Sequence, residues 1–278
     1  MKKITAFILT FALQSITIAF SQSYYFKHYQ VDKGLSHNTV YCALQDKMGF
    51  LWFGTKDGLN RFDGVHFRIF RNNDFDSAAI GPNFINSLYE DNKGQLWAGT
   101  QRGLYQYDVV HEKFHLLDGI HNGAIQDIQI DDHENLWFIS GTQLFCYSAE
   151  ERKKRSRKLI NYFSATSVCQ SKDGTIWIST PDGFLKKYLS SSNSFIAFDL
   201  YKTSPPSSSH WINTIYPTGK GYLFVGTPSQ GIKLFNMADN TYRDLIIYNS
   251  DKTEIFVRSF AQYNDDEYWI ATEAGIYI

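Results

Sequence analysis

The sequence predicts an all-β chain, a β-propeller of four-stranded blades, and three observations carry that expectation. Aromatic residues make up 17% of 278 positions, and aromatic side chains are favoured on pleated, packed surfaces. A stretch centred on a tryptophan recurs with a nearly fixed period. Each recurrence divides into short apolar runs separated by turn residues, the pattern of strands joined by hairpins.

The recurring stretch is clearest as "GFLWFGTKDGLNRFDG" from Gly49. It returns as "GQLWAGTQRGLYQYD" from Gly94, "ENLWFISGTQLFCYS" from Glu134 and "GTIWISTPDGFLKKY" from Gly174, with weaker copies from Gly221 and Glu267. Aligned on the central aromatic (Trp52, Trp97, Trp137, Trp177, Phe224, Trp269), the steps are 45, 40, 40, 47 and 45 residues. A period of this size marks a repeat architecture with four strands per unit. In the first unit the expected strands are Thr39–Gln45, Phe50–Thr55, Leu59–Phe62 and His66–Phe70, joined over Asp46–Gly49, Lys56–Gly58 and Asp63-Gly64. Inner strands of the later units are expected near Ile85–Tyr89, Ile125–Ile130, Ser167–Gln170, Ile212–Tyr216 and Val257–Tyr263. The six units span about 38–71, 83–118, 124–163, 165–200, 211–248 and 256–278.

The second strand of each unit is apolar on both faces, since it reads Leu-Trp-Phe and does not alternate. A single four-stranded unit cannot bury two faces alone. Radial stacking buries each unit against its neighbours, which is the propeller solution. Unit six lacks a fourth strand, while Tyr24–Tyr29 offers a spare one ahead of unit one. The expectation is therefore an incomplete seven-bladed ring, with a closed six-bladed ring as the alternative.

Ahead of the repeats, Lys2 and Lys3 precede an uncharged run from Ile4 to Phe20, and Ala19-Phe20-Ser21 supplies a cleavage signature. Residues 1–21 thus read as a signal peptide, with the propeller over 22–278 and a periplasmic location. The net charge of −1 gives no footprint for nucleic acid. Cys42, Cys146 and Cys169 are widely spaced inside apolar runs, so they are read as small buried hydrophobes and not as a bridge framework or metal site.

These residues, with "NTVYCALQDKMGFLWFGTKDGLNRFDG" the fullest copy, resemble the two-component regulator propeller repeat. The resemblance extends over the whole mature chain. It is sharpest in the first two units, where the turn between the first two strands is Asp-x-x-Gly at Asp46–Gly49 and Asp91–Gly94. In that family the repeats form the periplasmic sensor region of hybrid two-component proteins of Bacteroidetes. The resemblance implies sensing of glycans or their breakdown products. It further implies partners in an oligosaccharide or other small periplasmic ligand, in the remainder of a receptor or a second propeller, and in a homodimer. The chain stops at Ile278 with no kinase, receiver or DNA-binding segment in it. Phosphoryl transfer is therefore expected to lie outside it, and the chain is read as a non-enzyme.

Most repeated residues have a structural explanation. Gly49, Gly54, Gly58 and Gly64 fall at turns and at a close strand approach, and no helix follows them to make a phosphate cradle. Asp46, Asp91 and Asp131 are expected to bind backbone N–H groups of their own turns. "SKDGTIW" from Ser171 departs from the Asp-box of sialidases. "HEKFH" from His111 places two histidines four apart on an expected outer strand, roughly 13 Å from each other and too far to share a metal. No catalytic residue, cofactor or metal site is predicted.

Binding is expected on loops at one end of the axis. The entry to each first strand and the exit from each second strand share one end, which collects His37, Asn38, Lys56, Asp57, Asn83, Arg102, His121, Asn122, Asp182, His210, Trp211 and Gln230. A tryptophan beside amide and charged groups suits a carbohydrate, whose apolar face stacks while its hydroxyls seek hydrogen bonds. The basic "EERKKRSRK" from Glu150 reads as a solvated hairpin loop, and "SPPSSSH" from Ser204 as a flexible connection. A propeller glycosidase or polysaccharide lyase, and a structural docking or dimerisation module, remain as alternative functions.

Overall fold

A computed structural model describes residues 25–76, 78–117, 123–154, 160–202, 209–245 and 248–278. The expected signal peptide, His121, Asn122 and most of "SPPSSSH" lie outside the described residues. The described strands form a six-bladed β-propeller in which every blade is an antiparallel meander. Five blades have four strands, and the sixth has three among the described residues: Val257–Gln262, Tyr268–Thr272 and Gly275–Tyr277.

The first strands of the other blades are Val40–Gln45, Ile85–Glu90, Ile125–Ile130, Ser167–Gln170 and Thr214–Pro217. They lie within two residues of the expected positions. Each pairs with the second strand and its central aromatic, as in Leu44 opposite Trp52, Cys169 opposite Trp177 and Tyr216 opposite Phe224. Tyr25–Gln30 carries no strand ladder, so the expected spare strand is not formed there. Instead this segment runs between the last and first blades. Phe26 lies 6.3 Å from the Trp269 ring, and Tyr29 packs on Phe62 at 4.9 Å and on Phe67 at 5.6 Å.

The core is divided into layers, one between each consecutive pair of blades. Trp52 and Leu59 of blade one pack on Ile85, Ala98 and Tyr107 of blade two. Trp97 and Leu104 of blade two meet Ile125, Leu136 and Phe138 of blade three. Trp137 and Ile139 meet Val168 and Ile178, and Trp177 and Leu185 meet Ile215 and Phe235. The last layer is smaller and holds Ile232, Val257 and Ile270. Every layer uses side chains from two blades, which is why no blade is stable as a separate sheet.

Inner strands are also joined by polar links. Ser87 Oγ donates to the Ile125 carbonyl at 3.0 Å, and Asn213 Nδ2 donates to the Val257 carbonyl at 3.0 Å. Asp127 of blade three accepts from Ser167 Oγ and Val168 N of blade four, both at 2.9 Å. Burial pushes the Asp127 carboxyl up to about 6 despite these bonds. All three cysteines are free thiols, and Cys146 and Cys169 are buried as expected.

Candidate functional site

The repeated residues make the scaffold that holds the loops. The expected Asx turns form: Asp46 Oδ1 accepts from Met48 N at 3.0 Å and Phe50 N at 2.9 Å. The second oxygen has a partner that the sequence reading missed. Asp46 Oδ2 accepts from Trp52 Nε1 at 2.7 Å, Asp91 Oδ2 from Trp97 Nε1 at 3.4 Å, and Asp131 Oδ2 from Trp137 Nε1 at 2.9 Å. In blade four Ser171 stands in for the aspartate and Trp177 Nε1 donates to its hydroxyl at 3.2 Å. In blade five Thr218 holds the turn and the aromatic is Phe224, which has no N–H to place. In blades one to three one carboxylate thus serves both turn and ring.

At the opposite end, the turn between second and third strands is held by a threonine. Thr55 Oγ1 donates to the Gly58 carbonyl and accepts from Asp57 N, and Thr100 does the same for Gly103 and Arg102. The described residues expected at a binding face all lie at this end, in these turns or in the segments leading into first strands.

In blades one and two the polar groups are used internally. Asp57 accepts from Asn83 Nδ2 at 3.0 Å and pairs with Arg71 at 2.9 Å, while Asn83 Oδ1 accepts from Asn72 N at 2.7 Å. His37 Nδ1 accepts from Thr39 N, and Asn38 Oδ1 accepts from Val31 N. These residues brace the junction of two blades. Lys56 and Arg102 are exposed.

A second group forms between blades four and five. The His210 ring stacks on Tyr201 at 4.7 Å, and its buried Nε2 has no hydrogen-bond partner. Trp211 is 41% exposed. Ser209 joins the group, since its hydroxyl accepts from Trp211 N at 3.4 Å and its carbonyl from Gln230 Nε2 at 3.5 Å. Asp182 accepts from Thr180 Oγ1 in the adjoining turn. The next residue, Gly183, has φ +90, and a Cβ there would lie 2.6 Å from Tyr201 and 3.1 Å from His210. Beneath Tyr201 sits Lys233, 1% exposed, its ammonium 4.6 Å from the ring centroid and 2.7 Å from Asp244. The ion pair and two tyrosine faces compensate a charge that burial would otherwise make costly. Lys233 sits on an otherwise apolar strand, "IKLF", and the reading above passed over it. An ordinarily exposed residue type at a buried strand position was the available signal.

Two expectations need correction. His111 lies in the turn ahead of the outer strand Lys113–Leu116, so the strand spacing assumed for "HEKFH" does not hold. Both rings approach Asp108 Oδ2, His111 Nδ1 at 2.7 Å and His115 Nε2 at 3.9 Å. The His111 hydrogen bond holds the Asp108 carboxyl down at about 2. No cluster of three metal-ligating side chains occurs among the described residues. The basic segment is also not wholly solvated. Ala149–Lys153 forms a short helix capped by Ser148, and Arg152 is half-buried against blade three.

Comparison with known proteins agrees with the architecture. Residues 34–57 and 79–102 match the model of the two component regulator propeller family. A 74-residue stretch is 43% identical to Histidine kinase P4 of Formosa agariphila, covering 26% of this chain and 5% of that protein. Among solved structures, the extracellular domain of the hybrid two component system BT3049 from B. thetaiotaomicron matches over 90% of this chain and 34% of its own, with 25% identity and a TM-score of 0.72. Virginiamycin B lyase from Staphylococcus aureus shares the fold at 12% identity and a TM-score of 0.65, covering 85% of this chain and 78% of that one. The chain thus spans about a third of its solved sensor relative and a small part of the curated kinase.

Proposed function

We propose that this chain is the ligand-sensing propeller of an extracytoplasmic signalling receptor, and that it recognises a glycan-derived oligosaccharide. The observation that carries the sensing role is the match over 90% of the chain to an extracellular two component sensor domain. In this reading the chain binds and does not catalyse, is exported to the periplasm, and works with the remainder of a receptor.

The carbohydrate reading rests on the group between blades four and five. Trp211 offers a half-exposed indole; the Gln230 amide donates to the carbonyl of Ser209, two residues before it, and Asp182 lies in the turn whose Gly183 abuts His210. Such a surface pairs an apolar platform with directional polar groups, the combination a sugar ring requires. The Asp57–Asn83–Arg71 network contributes rigidity and little contact, because its groups already have partners.

Calorimetric titration with a panel of neutral and acidic oligosaccharides tests the proposal. Binding of at least one member is expected, with a several-fold or greater loss on Trp211→Ala and little change on Asn83→Asp. Absence of heat with the whole panel, or binding indifferent to Trp211→Ala, would remove the carbohydrate reading from this face.

A further inference from the structure

Near its entry, each first strand carries one residue more than the strand it pairs with. Val40 and Cys42 face Thr55 and Gly54, and Ile85 and Ser87 face Thr100 and Gly99. Ile125 and Asp127 face Ser140 and Ile139, and Val257 and Ser259 face Thr272 and Ala271. Tyr41, Asn86, Gln126 and Arg258 are thereby left out of the ladders as bulges. Blades four and five take the same step. Thr166 N and Asn213 N donate to the carbonyls of Ser179 and Gly226, which are already paired with Ser167 and Thr214. A bulge re-aims a side chain, and such bulges concentrate next to sites. The first strands of successive blades lie side by side and line the central channel of the propeller. One bulged residue per blade is therefore turned towards the axis, and all six can hydrogen-bond.

Two residues earlier, three blades carry an aromatic: Phe84, Trp211 and Phe256. The residue between aromatic and bulge is Ile85, Ile212 or Val257, each 0% exposed. Ile85 and Val257 abut Gly54 and Gly226 of the preceding blades, and Ile212 lies in the layer between blades four and five. Side chains alternate along extended backbone, so the residues flanking these three face the channel. Contacts agree with this placement. The Tyr41 ring lies 4.5 Å from Phe84, and the Arg258 guanidinium lies 4.1 Å from the Phe256 ring. The axial mouth thus has an outer aromatic tier and, roughly 7 Å deeper along the strands, an inner polar tier.

We propose that the inner tier binds the end of an uncharged oligosaccharide whose following residues lie on the aromatic tier. This rests on the carbohydrate reading above and adds which part of the ligand is recognised. Tyr41 and Gln126 are exposed, and the phenol hydroxyl and the amide have no hydrogen-bond partner among the described residues. Arg258 is the one charged member of the tier and is paired with Glu273, so an ionic ligand would find no free counter-charge there. Sugar hydroxyls donate and accept, which matches an amide and a phenol. Asn213 and Thr166 are held by the Val257 carbonyl and the Ser179 hydroxyl and form fixed wall. A glycan running across the end of the propeller touches the aromatic tier alone. The surrounding strands admit only a chain end to the inner one.

The test is calorimetry on the whole chain with xylo-, manno-, cello-, malto- and arabinotetraose, with tetragalacturonate, and with the parent polysaccharide of each. At least one neutral tetrasaccharide should bind, and Tyr41→Phe and Gln126→Ala should each weaken it by about threefold to tenfold, the range for one hydrogen bond. Both residues are exposed, so these variants keep the fold. The parent polysaccharide should offer sites in proportion to its chain ends. Binding that is weakened by Trp211→Ala but indifferent to Tyr41→Phe and Gln126→Ala would overturn the inner tier and leave the carbohydrate face standing. Sites spaced along the length of the polysaccharide would overturn recognition of the end, and a preference for tetragalacturonate would overturn the uncharged ligand. Absence of heat with every tetrasaccharide would overturn the carbohydrate reading and this proposal with it.

Discussion

Asp131 shows how much one residue can carry in a repeat protein. Its Oδ1 accepts from His133 N and Asn135 N, both at 2.9 Å, and its Oδ2 from Asn135 Nδ2 and Trp137 Nε1. The residue is 6% exposed and Trp137 is fully buried. Removing the carboxylate strands the buried indole N–H away from water, which is expensive to leave unpaired, and takes the acceptor from two part-buried turn N–H groups as well. Asp131→Ala is expected to lower stability by about 2 kcal/mol or more. The Thr218 and Phe224 pair of blade five shows the other half of the argument. Once the ring has no N–H, a smaller turn residue suffices. In an Asp131→Thr, Trp137→Phe double-mutant cycle, the double variant should therefore be less destabilised than the sum of the singles. Chemical denaturation of the four proteins measures this, and additivity within error would show that turn and indole are independent. The aspartates were legible as turn residues because Asp two and four positions ahead of exposed N–H groups is a local pattern. Their bond to the indole six positions on was not, since it depends on the hairpin bringing the second strand back beside the turn.

At the scale of the strand, the glycine in "LWFGT" and "LWAGT" has a specific cause. Gly99 has nothing between its Cα and blade three, and a Cβ there would meet Ser87 Oγ and would lie 2.9 Å from Ile125 Cγ2 and 2.9 Å from the Ile125 carbonyl oxygen. Gly54 stands in the same relation to Ile85 of blade two, and Gly226 to Val257 of blade six. These are the positions where the second strand of one blade abuts the first strand of the next. The sequence showed a close approach at Gly54 but could not show against what, because the neighbour lies on the following unit. Ser87 Oγ also donates to the Ile125 carbonyl, so a methyl group at position 99 displaces a hydrogen bond as well as a packing contact. Gly99→Ala should therefore cost about 2 kcal/mol, the range for overpacking a tight core. The same change at Gly64, where a Cβ would meet nothing within 4 Å, would act only through its φ of +101. It should cost less. Thermal unfolding of the two variants side by side checks the order, and a larger loss at Gly64 would contradict the assignment of Gly99 to the blade interface.

Across the whole molecule, the repeat period gave six units and the position of nearly every strand, because each unit restates the same local pattern; the six-bladed propeller was the alternative to the incomplete seven-bladed ring it led us to expect. The uneven burial of the blades was not legible, since it depends on which unit has neighbours on both sides. Trp137 and Trp177 are 0% and 1% exposed in the middle of the propeller, whereas Trp269 of blade six is only partly buried. Its neighbours on the far side are the exposed Tyr263 and Phe26, the latter from the segment that also carries Tyr29 to blade one. The first strand of blade one is likewise among the most exposed, with Val40 at 41% and Tyr41 at 49%. In blade three the counterparts of Val40 and of the exposed Ala43 are Ile125 and Ile128, and both are buried. Local opening is easiest where fewest apolar contacts must be broken. Amide hydrogen exchange should accordingly be slowest in Ile125–Ile130 and Leu136–Ser140, and faster in Val40–Gln45, Val257–Gln262 and Tyr268–Thr272. Hydrogen bonding in the ladders is similar throughout, so the gradient would report packing between blades and not strand pairing within them. Uniform protection around the ring would mean that the six blades open as one unit, and that the thin layer between blades five and six is as strong as the others. If the remainder of a receptor covers blades one and six, adding it should slow exchange at those two blades and leave blade three unchanged.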